Sequence, residues 1–332
     1  MKEKIPATPE NVRAGTSAAN SGMTRRGLLR QTAAAALSWA AFARLSSAMP
    51  AALPNPVGYS NISWPQEQLG QALQTVSTLG YQGVQVLGWV QETYAGEKTA
   101  ELKNRLQKLK LSAAALSCSK VKLLPDNPET FTSQFREYAD FLHSLGGNVL
   151  QLIDGGKPRG NYRTGEIKSL GAKMNELGKM AKDSGMTVGY HPHFGTLGET
   201  REGLESVLDA TDPRYVGLIA DVAHLKLGGS DPAEVIRTYH QRLVLLHLKD
   251  VRQDAYELAR QNRDAAEKLK FRFCEIGHGV VDFPAVTASL RESQFQGWVI
   301  VELDRFEPSA GGPAESARIN KDALRSLGFQ IG

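Results

Sequence analysis

The chain has 332 residues, of which 39 are Lys or Arg and 35 are Asp or Glu, so its formal net charge is +4. Residues 1–48 hold seven of the basic side chains and only two of the acidic ones, a net charge of +5, which leaves about −1 on the other 284 residues. A nearly neutral body has no charge-based case for binding nucleic acid or a membrane surface, and we expect neither partner.

The first 48 residues have the order of features that is typical of an export signal. Arg25 and Arg26 precede an apolar stretch at 33–43, which is shorter than the roughly 20 residues that span a membrane. Ser46-Ser47-Ala48 then provides small residues for cleavage after Ala48. The segment resembles a twin-arginine signal peptide, which implies a periplasmic or secreted protein with no stable membrane association after cleavage. The alternative is an amphipathic N-terminal helix that stays on the protein.

Beyond residue 48, short apolar runs alternate with longer helical patterns. Eight runs are rich in Val, Leu and Ile without polar alternation, which is typical of parallel strands buried on both faces. These runs are Val57–Ile62, Gly83–Leu87, Ser112–Leu116, Asn148–Ile153, Thr187–Tyr190, Val216–Ala220, Leu243–His247 and Val299–Leu303. The helical patterns are Gln66–Thr78, Thr99–Leu109, Glu129–Leu145, Thr164–Ser184, Arg201–Thr211, Asp231–Tyr239, Phe283–Glu292 and Ala314–Leu327.

This alternation predicts parallel βαβ units, and the count of eight favours a closed (β/α)8 barrel, a TIM barrel, over residues 49–332. An open doubly wound sheet is the alternative, although no glycine-rich dinucleotide fingerprint follows the first strand. The longest insertion, Arg252–Arg272, is charged and partly helical, and we interpret it either as a lid or as a solvated excursion. Cys118 and Cys274 match no metal-binding spacing and are either paired or two free thiols.

Metal-capable side chains occur at the ends of four successive predicted strands, where the active sites of such barrels lie. His191 follows strand five, Asp221 follows strand six, His247 ends strand seven and Glu302 lies at the end of strand eight. One such residue is usually a cap or a satisfied polar group, but four in succession predict a common site. Imidazole and carboxylate ligands together favour one divalent ion of Mn, Zn, Co or Fe over Ca²⁺, which prefers oxygen.

Further side chains near this predicted ion are candidates for catalysis. Glu302 is the natural general base if it is not held too tightly as a ligand. Lys249 is a candidate either to polarise a substrate oxygen or to act as an acid. The alternative is that Lys249 is a surface lysine without a catalytic role. His193 is a candidate for contact with the substrate. His224, three residues after Asp221 on what we expect to be the first turn of a loop, is better placed for a substrate hydroxyl than for the metal.

The stretch from Gly189 to Asp304 resembles the xylose isomerase-like sugar isomerase and epimerase superfamily, and within it the inosose dehydratase branch. The matching pieces include Tyr190-His191-Pro192-His193-Phe194-Gly195-Thr196, Asp221-Val222-Ala223-His224, His247-Leu248-Lys249-Asp250-Val251-Arg252, Gly277-His278-Gly279-Val280-Val281-Asp282-Phe283 and Val301-Glu302. The resemblance implies a TIM barrel, a divalent metal held by residues of strands five to eight, and a sugar, keto-sugar or cyclic polyol as substrate. Epimerases of the superfamily use glutamates on strands five and eight as paired acid and base groups, and this chain has His191 at the strand-five position. Strand two also carries Gln85 where a glutamate is common.

Together these features predict a divalent-metal-dependent sugar isomerase or epimerase that acts through a metal-stabilised enediolate. The second expectation is a lyase of the inosose dehydratase type that eliminates water from a keto-sugar or cyclic polyol ketone, because His191 argues against a two-glutamate epimerisation. A phosphodiester-cleaving endonuclease needs further histidines on strands two and three, where Gly88 and Ser117-Cys118 stand. A non-catalytic sugar-binding barrel is the fourth alternative.

Overall fold

The computed structural model describes residues 52–157, 160–305 and 311–332, so the predicted signal peptide at 1–48 lies outside the described residues. Eight strands form a closed barrel in which every neighbouring pair is parallel, in the order β1-β10-β7-β6-β5-β4-β3-β2. The closed barrel predicted from the sequence is thereby confirmed, and the open sheet is excluded. The barrel strands are β1 (Val57–Ser60), β2 (Gly83–Leu87), β3 (Ser112–Ser117), β4 (Val149–Leu152), β5 (Thr187–Tyr190), β6 (Val216–Asp221), β7 (Leu243–Leu248) and β10 (Trp298–Val301).

A helical layer surrounds the barrel. Its α-helices are α1 (Leu69–Thr78), α2 (Gly88–Tyr94), α3 (Thr99–Lys108), α4 (Thr132–Leu145), α5 (Thr164–Asp183), α6 (Arg201–Ala210), α7 (Val222–Leu227), α8 (Pro232–Tyr239), α9 (Gln253–Gln261), α10 (Arg263–Glu267), α11 (Phe283–Glu292) and α12 (Pro313–Ser326). Short 3-10 helices occupy Asn61–Ser63, Gln66–Gln68, Gly96–Lys98, Leu197–Glu199 and His240–Arg242.

All eight predicted helices are present, and their ends agree closely with the expectation. Asp231 and Asp282 cap α8 and α11, because their Oδ1 atoms accept the backbone N–H groups of Ala233 and Ala285 at 2.9 Å. Helix α4 begins at Thr132 rather than at 129, because Phe131 has a left-handed backbone with φ of 55°. Helices α2 and α7 were not predicted, since each is shorter than two full periods of an amphipathic pattern.

The interior of the barrel is apolar below its C-terminal end. Side chains from five strands meet there and are buried, namely Ala115, Val149, Ile219, Leu245 and Ile300. On β5 the equivalent position is Gly189, where a Cβ atom would lie 2.4 Å from Cγ1 of Ile219, so no larger residue fits. A packed interior of this kind supports the strand ends rigidly and leaves the site at the rim of the barrel.

The insertion predicted at Arg252–Arg272 is helical, as α9 and α10, and it is flanked by a two-stranded antiparallel sheet of β8 (Asp250–Val251) and β9 (Phe273–Cys274). This small sheet was not predicted, because two-residue strands carry no periodic signal. Cys118 is buried and Cys274 is half-buried, and both are free thiols. Among the described residues, no helix has the length and apolar character that crossing a membrane requires.

Candidate metal centre

Every barrel strand contributes one polar side chain to a layer at its C-terminal end, which we call the rim layer. Side chains alternate along a strand, so a residue two positions after an interior position faces inward again. The rim layer consists of Ser60, Gln85, Ser117, Gln151, His191, Asp221, His247 and Glu302, all of which are buried. Burial of so many polar groups is costly unless they are paired or hold a ligand, and the layer therefore indicates a functional site.

The four predicted metal ligands lie together in this layer. Each offers a nitrogen or oxygen atom, and these atoms all lie within 4.8 Å of one another. The register of the sheet pairs Asp221 directly with His247. His191 and Glu302 lie one residue beyond β5 and β10, and each is held there by a backbone hydrogen bond, to the carbonyls of Leu152 and Leu248. The barrel thus brings together residues that are far apart in sequence.

The imidazole of His247 indicates most directly that a cation belongs here. Its Nε2–H donates to Oε1 of Gln85 at 2.8 Å, so Nδ1 presents a lone pair. That buried Nδ1 has no hydrogen-bond partner among the described residues, and it faces Oδ2 of Asp221 at 3.5 Å and Oε1 of Glu302 at 3.7 Å. A lone pair directed at two carboxylates is unfavourable without a cation between them. The residues present therefore fit a divalent metal ion.

Lys249 lies beside this group and is buried, with 1% of its side chain exposed, so the surface alternative is wrong. Its Nζ contacts Oε1 of Glu302 at 2.9 Å, Oδ1 of Asp304 at 2.8 Å and Oδ2 of Asp221 at 3.2 Å. Burial by itself lowers the pKa of Lys249, but the attraction of the three carboxylates outweighs burial and raises it. The lysine is therefore an ammonium ion at neutral pH.

The pKa values of the neighbouring carboxylates shift in the opposite direction, downward. Burial raises the pKa of Glu302, but the charge of Lys249 outweighs it and lowers the pKa to about 2. Asp221 behaves in the same way, because the charge of Lys249 lowers its pKa well below the usual value against the effect of burial. Three carboxylates and one ammonium leave two uncompensated negative charges, which matches one divalent ion.

Asp221 also caps a helix, which explains its position at the strand end. Its Oδ1 accepts the backbone N–H groups of Ala223 and His224, both at 3.0 Å, and so caps α7. Its other oxygen, Oδ2, is left to face the ligand atoms. The cap makes the chain turn into a helix immediately after β6, so His224 lies on a short helix rather than on the predicted loop.

His193 and His224 form a close pair next to the predicted ligands, with ring centroids 3.7 Å apart and ring planes tilted by 39°. The backbone of Phe194 holds both rings. Nδ1 of His193 donates to the carbonyl of Phe194 at 2.7 Å, whereas Nδ1 of His224 accepts the N–H of Phe194 at 3.2 Å. His193 therefore presents a lone pair at Nε2, and His224 presents an N–H at Nε2.

Both rings of this pair are uncharged near neutral pH. Burial, with a smaller contribution from His191, lowers the pKa of His193 to about 4. Burial also lowers the pKa of His224 well below its usual value. Nε2 of His224 has no hydrogen-bond partner among the described residues and lies 4.0 Å from Oδ2 of Asp221. An acceptor and a donor thus stand side by side, which suits the recognition of substrate hydroxyls.

Asp304 completes a second group with His193 and His224, whose ligand atoms also lie within 4.8 Å of one another. The hydrogen bond from Phe194 places a proton on Nε2 of His224, so this nitrogen is a donor and not a metal ligand. The geometry therefore favours one ion at the rim layer and a substrate pocket at the second group.

The insertion forms one wall of the entrance. A cavity of about 660 Å³ opens at Asp304, and it is lined by Ile62, Glu267, Lys268, Leu269, Lys270, Arg272, Phe273, Asp304 and Arg305. Arg263 of α10 forms an ion pair with the buried Glu199, whose Oε2 accepts the N–H of Gly195 at 2.8 Å. The guanidinium of Arg263 also lies 5.5 Å from the ring centroid of Phe194. These contacts fasten the insertion to the loop that carries His193.

Several site residues were not singled out in the sequence. Gln151 and Asp304 carry no motif, although both stand at strand ends where a polar residue follows apolar ones. Asp154, just beyond β4, accepts the hydroxyl hydrogen of Tyr190 at 2.7 Å and the N–H of Leu197 at 2.9 Å, and so organises the loop after β5. Gln151 has one sequence signal, because it is a polar residue at an alternate position of the apolar strand β4.

Comparison with known proteins agrees with this architecture. A model of the xylose isomerase-like TIM barrel family matches residues 73–327. The chain belongs to that family. Inosose dehydratase of Bacillus velezensis is 28% identical to it over 288 residues, which cover 82% of this chain and 94% of that protein.

Solved structures show the same fold. The probable 3-DHS dehydratase AsbF of Bacillus anthracis superposes with a TM-score of 0.66 and 16% identity, over 81% of this chain and 98% of that one. The IolI protein, whose structure contains a bound zinc atom, has a TM-score of 0.65 and 18% identity, over 82% of this chain and 98% of that one. A protein named as a probable dehydratase and a protein solved with a bound zinc atom thus share this fold.

Proposed function

We propose that the protein is a divalent-metal-dependent hydro-lyase, which eliminates water from a keto-sugar or from a cyclic polyol ketone such as an inosose. The buried ammonium of Lys249 beside the metal ligands carries the proposal, because departure of a hydroxyl group needs a proton donor. The similarity to inosose dehydratases supports the same reaction. His191, in the place of an epimerase glutamate, removes one of the two bases that a two-glutamate epimerisation uses.

His193 is the best-placed general base. Its Nε2 lone pair is free, and the ring is held by the carbonyl of Phe194. Glu302 was the first choice from the sequence, but Lys249 occupies its Oε1 and Nε2 of Gln85 lies 3.4 Å from its Oε2. A carboxylate held in this way, with a pKa of about 2, is better suited to binding a cation than to accepting a proton from carbon.

The proposed elimination begins with proton abstraction and ends with cleavage of a C–O bond. His193 takes the proton from the carbon next to the substrate carbonyl, and the electron pair of that C–H bond forms an enolate. The enolate then expels the β-hydroxyl group, which leaves as water with a proton from Lys249, while Nε2–H of His224 orients a hydroxyl group. When bound, a divalent ion polarises the carbonyl and neutralises Asp221 and Glu302, which eases release of the lysine proton.

Isomerisation or epimerisation is the second candidate function. Its basis is that Lys249 could return its proton to the enolate on another atom or face before the hydroxyl group departs. No second carboxylate base is needed for that route, since the acid and the base are different side chains. The two reactions share their first step and differ in whether the C–O bond breaks.

One experiment separates the two reactions. The purified protein, supplied with Zn²⁺ or Mn²⁺, is incubated with a panel of inososes and keto-sugars in D₂O. The masses of the products are then measured by mass spectrometry. A product that has lost one water molecule supports the lyase, and deuterium in a new isomer, separated from the starting sugar by chromatography, supports the isomerase. Metal binding with neither change on the whole panel would leave only the sugar-binding barrel. The Lys249→Met variant is the matched control for background elimination.

We also propose that the protein is exported by the twin-arginine pathway, on the basis of Arg25, Arg26 and the apolar stretch that follows them. Phosphorylated sugars are scarce outside the cytoplasm, so a free or oxidised sugar fits this location better than a sugar phosphate. Lysine at both positions should retain the protein in the cytoplasm. Unchanged recovery of that variant from the periplasm would contradict the proposal.

A further inference from the structure

Two buried glutamines connect the histidines on opposite sides of the predicted metal ion. Gln85 and Gln151 are 0% and 3% exposed and belong to β2 and β4. Nε2 of Gln85 donates to Oε1 of Gln151 at 2.9 Å. At one end Oε1 of Gln85 lies 2.8 Å from Nε2 of His247, and at the other end Nε2 of Gln151 lies 3.1 Å from Nδ1 of His191. We call these four side chains the amide relay.

The amide relay has only one hydrogen-bond direction at a time. A primary amide donates from its nitrogen and accepts at its oxygen, so a chain of two amides has one donating end and one accepting end. The histidine at the accepting end gives a proton to the relay and turns a lone pair toward the metal site. The histidine at the donating end accepts a proton and turns an N–H toward the site. The intact relay therefore allows one of the two histidines, and not both, to be a metal ligand.

Glu302 fixes which histidine this is. Nε2 of Gln85 also lies 3.4 Å from Oε2 of Glu302, and an ionised carboxylate only accepts hydrogen bonds. The nitrogen of Gln85 must therefore face Glu302 and Gln151, so its oxygen faces His247. His247 then gives its Nε2–H to the relay and keeps a lone pair at Nδ1.

The same direction continues to the other end. Nε2 of Gln151 donates to Nδ1 of His191, so the remaining nitrogen of that ring, Nε2, carries the proton. It lies 3.4 Å from Oδ2 of Asp221, which accepts it. Both rings thus carry their proton on Nε2, but only His247 directs a lone pair into the site.

We propose that the amide relay makes His247, Asp221 and Glu302 the protein ligands of the metal, and makes His191 a positioning residue that donates to Asp221. The proposal refines the metal site on which the proposed function rests. Asp221 then receives support from His191 and Lys249 on the same oxygen. A catalytic metal site keeps one position for substrate or water, and without a ligand from strand five this site would have such a position when metal is bound.

The nitrogen-bound protons are directly measurable. In ¹⁵N-histidine-labelled, metal-free protein near neutral pH, the ¹⁵N shifts of His191 and His247 should both show a protonated Nε2 and an unprotonated Nδ1. Single His191→Phe and His247→Phe variants assign the two rings among the seven histidines. A proton on Nδ1 of His191 in the otherwise unchanged protein would overturn the proposal.

The Gln151→Glu variant reverses one end of the relay. A carboxylate at 151 accepts from both Gln85 and His191, so the proton of His191 should move to Nδ1 and its Nε2 lone pair should turn to the metal site. Zn²⁺ affinity, measured by chelator competition, should then rise by about tenfold. Unmoved ¹⁵N shifts of His191 would contradict the relay.

A double-mutant cycle separates this effect from the added charge. In the His191→Phe background, Gln151→Glu should raise Zn²⁺ affinity far less than it does when His191 is present. Equal gains in both backgrounds would mean that charge alone acts, and the relay proposal would fall. Absence of Zn²⁺ binding in every variant would defeat the proposed function, while the nitrogen assignment in metal-free protein would still decide the relay.

Discussion

The ammonium nitrogen of Lys249 lies 2.9 Å from Oε1 of Glu302, the same carboxylate oxygen that faces the unpartnered Nδ1 of His247 at 3.7 Å. One oxygen atom thus serves both the predicted metal site and the predicted acid. This sharing connects metal binding with the charge of the lysine, and several expectations depend on it.

Replacing Lys249 by Met should separate metal binding from turnover. Loss of the proton donor should lower turnover by about 10²-fold or more. Zn²⁺ affinity should stay the same or increase, because a competing cation is removed from Asp221 and Glu302. Enzyme kinetics and chelator competition test both points. Lys226→Met on α7 is a matched control, and wild-type turnover in Lys249→Met would contradict the acid role.

The same substitution should destabilise the metal-free protein. The buried Asp221 and Glu302 and the half-buried Asp304 lose their only described ammonium partner, and breaking a buried ion pair from one side typically costs about 3–5 kcal/mol. Zn²⁺ should restore most of the loss. Denaturant unfolding with and without the metal measures the free energy of unfolding in each state. A variant as stable as the wild type without metal would show that the carboxylates are not held by Lys249.

Substitutions of Asp221 should distinguish its two oxygens. Asp221→Asn keeps an Oδ1 acceptor for the N–H groups of Ala223 and His224, whereas Asp221→Ala removes it. Both variants should lose the metal, but the alanine variant should be less stable than the asparagine variant by about 1 kcal/mol, the usual value of an N-cap. Thermal unfolding of the two metal-free variants measures this difference, and equal stabilities would argue against the cap.

Acid should destabilise the metal-free protein in two pH ranges. The pKa of His193 falls from 6.5 to about 4 on folding, so the unfolded chain binds more protons between these values and stability decreases as pH falls through that range. A shift of this size corresponds to roughly 3 kcal/mol. The pKa of Glu302 falls from 4.5 to about 2, so its contribution is lost only below about pH 4.5.

Unfolding measured against pH tests the upper range. His193→Asn should make the curve less steep between about pH 6.5 and pH 4, with part of the slope remaining because burial also lowers the pKa of His224. His143→Asn, at an exposed position of α4, is the control. A wild-type curve that is flat across this range would contradict the uncharged state of His193.

The contact between Arg263 and Glu199 should control access to the cavity. Arg263→Met removes the ion pair that fastens α10 to the loop after β5, so the insertion should open more often. We expect faster proteolysis within residues 253–272 and a higher KM with a smaller change in kcat. Arg260→Met changes an exposed arginine of the same insertion and should do neither. Equal proteolysis of the two variants would rule out the fastening role.

Much of the architecture was predictable because strand and helix periodicity is local. The strand ends identify Asp221, His247 and Glu302 as residues of one rim, and they do so without any knowledge of side-chain direction. The hydrogen bond between Gln85 and Gln151 could not be predicted from strand ends, because the two residues are 66 positions apart and meet only when the barrel closes. The burial of Lys249 likewise depends on three carboxylates from two other strands.

The histidines illustrate the same limit. Spacing placed His191 among the ligands, because it follows β5 directly. Its proton is determined by Gln151, which no motif marks, so the pattern alone could not tell a ligand from a donor. His224 was expected on a loop, but capping by Asp221 turns the chain into α7 at once.

Metal content tests the central claim most directly. Elemental analysis of the purified protein, beside Asp221→Asn prepared and dialysed in the same way, should find one equivalent of a divalent Mn, Zn, Co or Fe ion per chain in the first and almost none in the second. Equal metal content in the two proteins, or none in either after incubation with these ions, would contradict a metal centre at the rim of the barrel.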